Sequence, residues 1–176
     1  TLFPYTTLFR SDRCLQEMLN SRRNKTYSAL LFLDLDKLKL VNDGQGHAVG
    51  DALLIEVAER VKKSVRDTDT VARIGGDEFV VILSDLDADK ESAKKETGMI
   101  AEKIRSSVAM PFTARTIDLD YVIEPQCTVS IGATIFLFSG VEPQAALETI
   151  LSHSDKAMYQ AKKAGGNKIQ MDELIM

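Results

Sequence analysis

Apolar positions along this chain fall into short runs and longer periodic stretches, which predict strands and helices respectively. The apolar run at residues 27–33 is bounded by polar residues, as is typical of a buried strand. Two further strands are expected at residues 70–74 and 79–83, on either side of a Gly-Gly turn. A longer β-rich run at residues 126–138 contains Gly132, which indicates either a bulge or a close approach of another backbone segment.

Helices are expected where apolar residues recur every three or four positions. The predicted helices are residues 12–23, a segment from residue 52 with Asp51 as its N-cap, a segment that ends before Pro111, and a segment from Pro143 to the glycine pair at 165–166. Residues 113–125 are expected to be irregular, and residues 167–171 to form a last short strand. This order predicts an α/β fold in which a mixed β-sheet is flanked by helices.

The overall composition restricts the function classes to be considered. The 176 residues favour one domain, and the net charge of −4 gives no support to a nucleic acid as partner. A local cluster of lysines and a metal ion still allows a nucleotide ligand. Cys14 and Cys127 are too few for a disulfide framework, so both are expected to be packing residues in a cytoplasmic protein. No apolar run is long enough to span a bilayer, so no membrane contact is expected from this segment.

The first eleven residues differ in character from the rest of the chain. Their sequence, TLFPYTTLFRS, resembles the in-frame translation of a sequencing-library adapter. We therefore expect residues 1–11 to be extraneous to the fold, residues 12–171 to form the domain, and residues 172–176 to be a tail or linker.

Four carboxylates follow the expected strands. Asp34 and Asp36 lie at the end of the first strand, where a period of two places both on one side of the chain. Asp77 and Glu78 come close to them if the hairpin pairs beside this strand. Carboxylates that close repel one another, and a divalent cation with oxygen ligands, such as Mg²⁺, removes the repulsion. Each feature alone is more typical of a cap, a solvated loop or an ordinary turn than of a metal site.

The combination of motifs resembles the GGDEF family, the diguanylate cyclases. The motifs, in order, are DLDKLKLVND at 34–43, GQGHAVGD at 44–51, GGDEF at 75–79, SIGATIF at 130–136 and SDKAMYQAKKAGGN at 154–167. The resemblance covers residues 12–171 and implies a nucleotidyl cyclase or palm-like GGDEF fold. It also implies that two GTP molecules condense into cyclic di-GMP with release of pyrophosphate, in a homodimer that binds one GTP per domain.

The resemblance further implies a role for individual residues. Asp34, the carbonyl of Leu35 and Asp77 would hold Mg²⁺ or Mn²⁺, assisted by Glu78. Asp77 would also be the general base on the attacking 3′-hydroxyl. The implied substrate-binding residues are Lys39 and Lys162 for the phosphates, Asn42 and Asp51 for the guanine edge, and Gly75 and Gly76 for close approach of the ligand to the backbone.

A second implied site would bind the product. Arg66 and Asp69 form an RxxD motif shortly before the glycine pair, which matches the family's inhibitory site for cyclic di-GMP, and Arg73 is assigned to the same site. The arginine fork would grip phosphate and guanine. An RxxD motif by itself is equally typical of a surface ion pair.

The chain departs from the family pattern at three places. Leu38 stands where the family usually has an aromatic residue, Gly166 stands where it usually has a basic one, and the N-terminal Leu-Thr-x-Leu-x-Asn-Arg stretch is absent. One alternative is therefore a degenerate regulatory domain that binds GTP or cyclic di-GMP, within a larger protein of the GGDEF-EAL type. The other is a different Mg²⁺ enzyme, a phosphohydrolase or glycosyltransferase, which would not need the GGDEF hairpin.

Overall fold

The computed structural model describes residues 7–115, 120–123, 127–140 and 142–175. The helices of this part of the chain are α1 (Thr7–Asn24), α2 (Leu38–Gln45), α3 (His47–Ser64), α4 (Lys90–Val108) and α5 (Pro143–Lys163). The strands are β1 (Ser28–Asp36), β2 (Thr70–Arg73), β3 (Glu78–Leu83), β4 (Phe112–Arg115), β5 (Asp120–Ile123), β6 (Thr128–Leu137) and β7 (Ile169–Ile175).

Five strands form one mixed sheet in the order β2-β3-β1-β6-β7. All neighbouring pairs are antiparallel except β6 and β7, which run parallel after the crossover through α5. Strands β4 and β5 form a separate antiparallel pair. The predicted fold class, a mixed sheet flanked by helices, is confirmed.

Strand β1 is the centre of the sheet, and all nine of its residues are buried. Because side chains alternate along a strand, its two faces contribute to two cores. Leu31 and Leu33 pack with apolar residues of α3 and α4, whereas Leu30 and Phe32 pack with α1 and α5. The two acids of β1 continue the second series, so they lie on the face that α5 covers.

Gly132 allows α5 to pack directly on the sheet. The β1–β6 register runs through Gly132 without a bulge. A Cβ atom at Gly132 would lie 2.1 Å from the carbonyl oxygen of Ser154 and 2.2 Å from the amide nitrogen of Met158. Of the two expectations for this glycine, the close backbone approach is therefore correct.

Two predicted helix starts are wrong. The first helix begins at Thr7 rather than at residue 12, so residues 7–11 belong to α1. Asp51 is not an N-cap, because α3 begins at His47. Gly46, with φ of 87°, ends α2 and also precedes the first residue of α3, which leaves no separate loop between the two helices.

Two expectations near the C-terminal half also need correction. Residues 112–115 and 120–123 form the β4–β5 pair, so the segment predicted as irregular contains two strands; residues 116–119 and 124–126 lie outside the described residues. The last strand does not end at residue 171. Parallel pairing with β6 continues to Leu137 and Ile175, which places residues 172–175 in β7 instead of in a tail.

The two cysteines pack as expected. Both are free and buried, and burial raises the pKa of each thiol to about 12. At neutral pH they are therefore protonated and poor nucleophiles.

Within the described residues, no helix combines the length and the apolar character that a membrane crossing requires.

Gly132→Ala is expected to lower the free energy of unfolding by about 3 kcal/mol, because its Cβ would force α5 away from β6. Gly44→Ala is the matched control. A Cβ at Gly44 meets nothing within 4 Å, and alanine favours the α2 helix by up to about 1 kcal/mol. Urea unfolding of both variants measures the difference, and equal stability of the two would show that α5 does not press on β6.

Candidate active site

The pairing of β1 with β3 brings the acidic motifs to one end of the sheet. Asp34 lies directly opposite Glu78 in the antiparallel register. The amide of the next residue, Leu35, donates to the carbonyl oxygen of Asp77 at 3.1 Å. Since the N–H and C=O groups of an extended residue point to the same side, the Leu35 carbonyl also faces the Gly-Gly turn. The residues that bear these four oxygen groups, Asp34, Leu35, Asp77 and Glu78, therefore lie near the turn.

The Asp34 carboxylate is buried, with 8% of the residue exposed. Burial raises the pKa of Asp34, the nearby charges of Asp77 and Glu78 raise it further, and the interaction with Lys162 opposes them. The ammonium group of Lys162, from the last turn of α5, lies 2.5 Å from Asp34 Oδ1. Apart from this ion pair, Oδ1 has no hydrogen-bond partner among the described residues. The charge of Asp34 is therefore balanced by Lys162, while Asp77 and Glu78 add negative charge at the same end of the sheet.

The three acids share this end of the sheet without forming a ready coordination shell. Within the described residues, no three histidine, cysteine or carboxylate side chains are grouped closely enough to hold a metal ion. The donor types nevertheless fit a hard cation such as Mg²⁺, because Asp34, Asp77, Glu78 and the Leu35 carbonyl offer only oxygen. In the structure, the Lys162 ammonium contacts Oδ1 of Asp34.

Asp36, the second acid of the DLD motif, is fully used by the protein itself. Its Oδ1 accepts from the hydroxyl of Ser130 at 2.7 Å. Its Oδ2 accepts from the hydroxyl of Thr128 at 2.7 Å and from the amide of Asn167 at 2.8 Å. Asp36 shares the face of Asp34, as the period of two predicts, but three donors already surround its carboxylate.

Arg73 braces the Gly-Gly turn. Its guanidinium donates to the carbonyl oxygen of Gly75 at 3.1 Å and to that of Gly76 at 2.7 Å. The turn closes with a bond from the amide of Ile74 to the carbonyl of Glu78 at 2.9 Å. A Cβ at Gly76 would meet nothing within 4 Å, so the backbone there is open to a ligand. Arg73 thus contacts the turn, although the sequence assigned it to the product site.

The residues predicted to read guanine lie together where α2 meets α3. Asn42 is half-buried in α2, and its Oδ1 lies 1.8 Å from the position of a Cβ at Gly50. Its carboxamide therefore lies against the Gly50 backbone, one residue before the exposed Asp51. Lys39 is exposed on α2. Sequence reasoning missed Gly50, because the helix was predicted to begin after Asp51 and this glycine therefore lay outside it.

The RxxD motif forms a turn whose aspartate is already bonded. Asp69 accepts from the amide of Arg66 at 2.9 Å and from the amide of Ser84 at 3.1 Å. The guanidinium of Arg66 is exposed and forms an ion pair with Glu96 of α4. Beside this pair lies a surface cavity of about 280 Å³, which Lys103 also lines. Sequence patterns did not point to Glu96 or Lys103, because α4 meets this turn only in the folded chain.

A family model described as "Diguanylate cyclase, GGDEF domain" matches residues 8–168 of this chain. Among curated proteins, the "Probable diguanylate cyclase DgcT" of Escherichia coli is 32% identical over 98% of this chain and 36% of its own length. The "Bifunctional diguanylate cyclase/cyclic di-GMP phosphodiesterase MucR" of Pseudomonas aeruginosa is 37% identical over 89% of this chain and 20% of its own length. The chain thus spans about a third or less of these two relatives.

Among solved structures, the GGDEF domain of YfiN, or TpbB, from Pseudomonas aeruginosa matches with a TM-score of 0.80. It is 29% identical, with 97% of each chain covered. An EAL/GGDEF domain protein from M. capsulatus is 39% identical and matches with a TM-score of 0.69, over 96% of this chain and 98% of that one.

Arg73→Met should loosen the Gly-Gly turn and leave the sheet intact. Losing the guanidinium bonds to the Gly75 and Gly76 carbonyls costs about 1 kcal/mol per carbonyl, so amide hydrogen exchange at Ile74 should become at least about tenfold faster. Amides in β1 should keep their protection. Arg66→Met is the control, since its guanidinium pairs with Glu96 instead of the turn. Unchanged exchange at Ile74 in Arg73→Met would show that the turn holds without this brace.

Proposed function

The chain belongs to the GGDEF family of diguanylate cyclase domains, and on that premise we propose that it condenses two GTP molecules into cyclic di-GMP and releases two pyrophosphates. The observation that carries this proposal is the register of β1 and β3. It sets Asp34 opposite Glu78, with Asp77 in the adjoining open turn. GTP is a cytoplasmic nucleotide, so the proposed reaction places the domain in the cytoplasm.

The acidic end of the sheet is the proposed metal site. Asp34, the Leu35 carbonyl and Asp77 would hold Mg²⁺ or Mn²⁺, and Glu78 would assist. When bound, such an ion polarises the α-phosphate and stabilises the charge that develops during displacement. The buried charge of Asp34 supports this assignment, since it is now paired with the Lys162 cation and has no other hydrogen-bond partner for Oδ1 among the described residues.

The chain's own groups would bind and orient the nucleotide around this site. Asp77 accepts the proton of the 3′-hydroxyl as general base. Lys162 exchanges its contact with Asp34 for a phosphate oxygen, and Lys39 provides a second point charge. The Gly76 backbone has room for the ligand to approach.

Guanine recognition is assigned to the junction of α2 and α3. Asp51 accepts from the N1–H and N2–H groups of guanine, and the Asn42 carboxamide bonds the same ring. The contact of Asn42 with Gly50 supports this pairing, because it holds the carboxamide beside the residue that precedes Asp51. Adenine would leave the Asp51 carboxylate unpaired, which costs about 1–3 kcal/mol.

One chain would supply only half of a catalytic site. Each bound GTP must direct its 3′-hydroxyl at the α-phosphate of the other, so two domains have to face each other, at least transiently. Catalysis therefore requires a homodimer.

The second candidate function is a regulatory domain that binds GTP or cyclic di-GMP without turnover. Gly166 favours it, because this position offers no side chain for a phosphate contact. Its backbone also lies so close to Asp36 that an added Cβ would be 3.0 Å from the carboxylate. The relatives' greater length is compatible with such a role inside a larger protein. Both candidates bind nucleotide, but only the first forms cyclic di-GMP.

Asp77→Ala should lower the rate of cyclic di-GMP formation by about 100-fold or more, because it deletes both a metal ligand and the general base. Its thermal unfolding should stay close to that of the wild type, since Asp77 is only half-buried. Asp155→Ala, which removes an exposed acid from α5, is the control and should keep full activity. Chromatographic product analysis after incubation with GTP and Mg²⁺ measures the rates. Wild-type turnover by Asp77→Ala would contradict the assignment of Asp77 as metal ligand and general base.

We also propose that the RxxD turn binds the product and inhibits the enzyme. Of the three residues assigned to this site, Arg66 is the exposed one, and it can reach a ligand by releasing Glu96. Asp69 keeps the turn in shape, and Arg73 links β2 to the Gly-Gly turn. A product molecule held here would fix two domains so that their half-sites do not meet, and inhibition would be non-competitive with GTP.

Arg66→Ala should resist inhibition by cyclic di-GMP and accumulate more product, because the arginine fork is its main contact to phosphate and guanine. Pyrophosphate release is followed while cyclic di-GMP is titrated into wild type, Arg66→Ala and Lys62→Ala. Lys62 is an exposed cation in the last turn of α3 and controls for general charge. Equal inhibition of all three proteins would mean that Arg66 and Glu96 form only a surface ion pair.

A further inference from the structure

Asp36 is a buried acid that the proposed reaction does not use. Only 9% of the residue is exposed, yet its carboxylate accepts from the hydroxyls of Thr128 and Ser130 and from the amide of Asn167. Bonds to a carboxylate are charge-assisted and stronger than bonds between neutral groups. So many bonds on one buried group indicate that it holds two parts of the fold together.

The first part is the sheet, and the second is the turn that follows α5. Helix α5 ends at Lys163, and Gly165 and Gly166 then adopt φ of 112° and 72° to reverse the chain toward β7. The amide of Asn167 donates to Asp36 Oδ2 at 2.8 Å, directly after these glycines. The turn is therefore fastened to the end of β1 through the Asp36 carboxylate.

The last turn of α5 is fastened to β1 at a second point. Lys162 reaches Asp34, two residues before Asp36 on the same face of the strand, and its ammonium lies 2.5 Å from Oδ1. One contact is made by a side chain of the helix and the other by the main chain that follows it. If the turn shifts, the helix end shifts with it, and the Lys162 ammonium moves away from the site.

We propose that Asp36 is a positioning residue for Lys162. It fixes the main chain after α5 so that the ammonium of Lys162 stays over the acidic end of the sheet, where the triphosphate would bind. The inference rests on the proposed function for the nucleotide, but the placement of Lys162 is a property of the free chain. The two acids of the DLD motif thus have different roles. Asp34 faces the site and pairs with Lys162, whereas Asp36 holds the main chain that positions this lysine.

The placement of Lys162 is measured first, without nucleotide. Brief labelling with acetic anhydride and mass spectrometry give the acetylation rate of each lysine. In Asp36→Asn, the rate at Lys162 should rise several-fold, because the amine is no longer held against Asp34, whereas the rate at its neighbour Lys163 should not change. Asp155→Asn is the matched control and should change neither rate. An unchanged rate at Lys162 in Asp36→Asn overturns the inference.

A milder variant distinguishes a local effect on Lys162 from a general folding defect. Ser130→Ala removes one donor from Asp36 Oδ1 and leaves both acids in place. It should raise the acetylation rate of Lys162 less than Asp36→Asn does, and in the same direction. A rise that is uniform over all lysines in either variant would indicate general loosening and would also overturn the positioning role.

Nucleotide affinity supplies the second measurement. 3′-Deoxy-GTP cannot form the new phosphodiester bond, so its affinity can be measured by calorimetry with Mg²⁺ and without turnover. Asp36→Asn and Lys162→Met should each weaken its binding about tenfold and leave guanosine binding unchanged, because guanosine lacks the phosphates. The double variant should bind no more weakly than Lys162→Met alone.

The outcomes separate the two claims. Additive losses in the double variant, or equal losses for 3′-deoxy-GTP and guanosine, would contradict the role of Asp36. Failure of the wild-type protein to bind 3′-deoxy-GTP would contradict the proposed function, while the labelling result would still decide whether Asp36 positions Lys162.

Discussion

The structure depends on how two carboxylates are accommodated on a strand that is buried from end to end. All nine residues of β1 are buried, and the strand ends in Asp34 and Asp36 on the face covered by α5. A carboxylate that loses its hydration needs either a cation or hydrogen-bond donors. Asp34 has the cation of Lys162, and Asp36 has two hydroxyls and a backbone amide. Both solutions require α5 to end directly above the strand.

Helix α5 reaches that position because the sheet makes room for it. Gly132 on β6 lets the backbone of α5 approach where any side chain would collide with Ser154 and Met158. The buried hydroxyl of Ser154 then lies 2.8 Å from the hydroxyl of Thr134 and 3.3 Å from the carbonyl oxygen of Leu30, so the helix contacts both β6 and β1. On the other side of β1, Arg73 holds the Gly-Gly turn beside Asp34. The site is thus assembled by packing around β1, and its acids are brought together by the register of β3.

Sequence patterns predicted the elements whose burial follows a simple period. Strands β1 and β3 and helices α4 and α5 were found from their apolar runs, and the GGDEF motif located the turn. The start of α3 was missed because it depends on the positive φ of Gly46. Asp51 has the residue type of an N-cap but lies inside the helix. Strands β4 and β5 were missed because each is short and exists through pairing with the other.

The register of β1 and β3 brings together the acids that the sequence grouped, but the different surroundings of Asp34 and Asp36 could not be predicted. Asp34 and Asp36 are identical in type and share one face, so nothing local distinguishes them. The distinction comes from Thr128, Ser130 and Asn167, which are more than 90 positions away in the chain. In the same way, the partner of Arg66 on α4 follows from tertiary packing alone.

We propose that the acidic end of β1 and β3 is half of a diguanylate cyclase site. The most direct test is to incubate the chain with GTP and Mg²⁺ at a series of protein concentrations and to identify the products by mass spectrometry. Cyclic di-GMP and pyrophosphate should form in a ratio of one to two, and the rate per chain should rise with protein concentration as half-sites pair. Formation of GDP or GMP instead, or binding of GTP without any cyclic di-GMP, would contradict it.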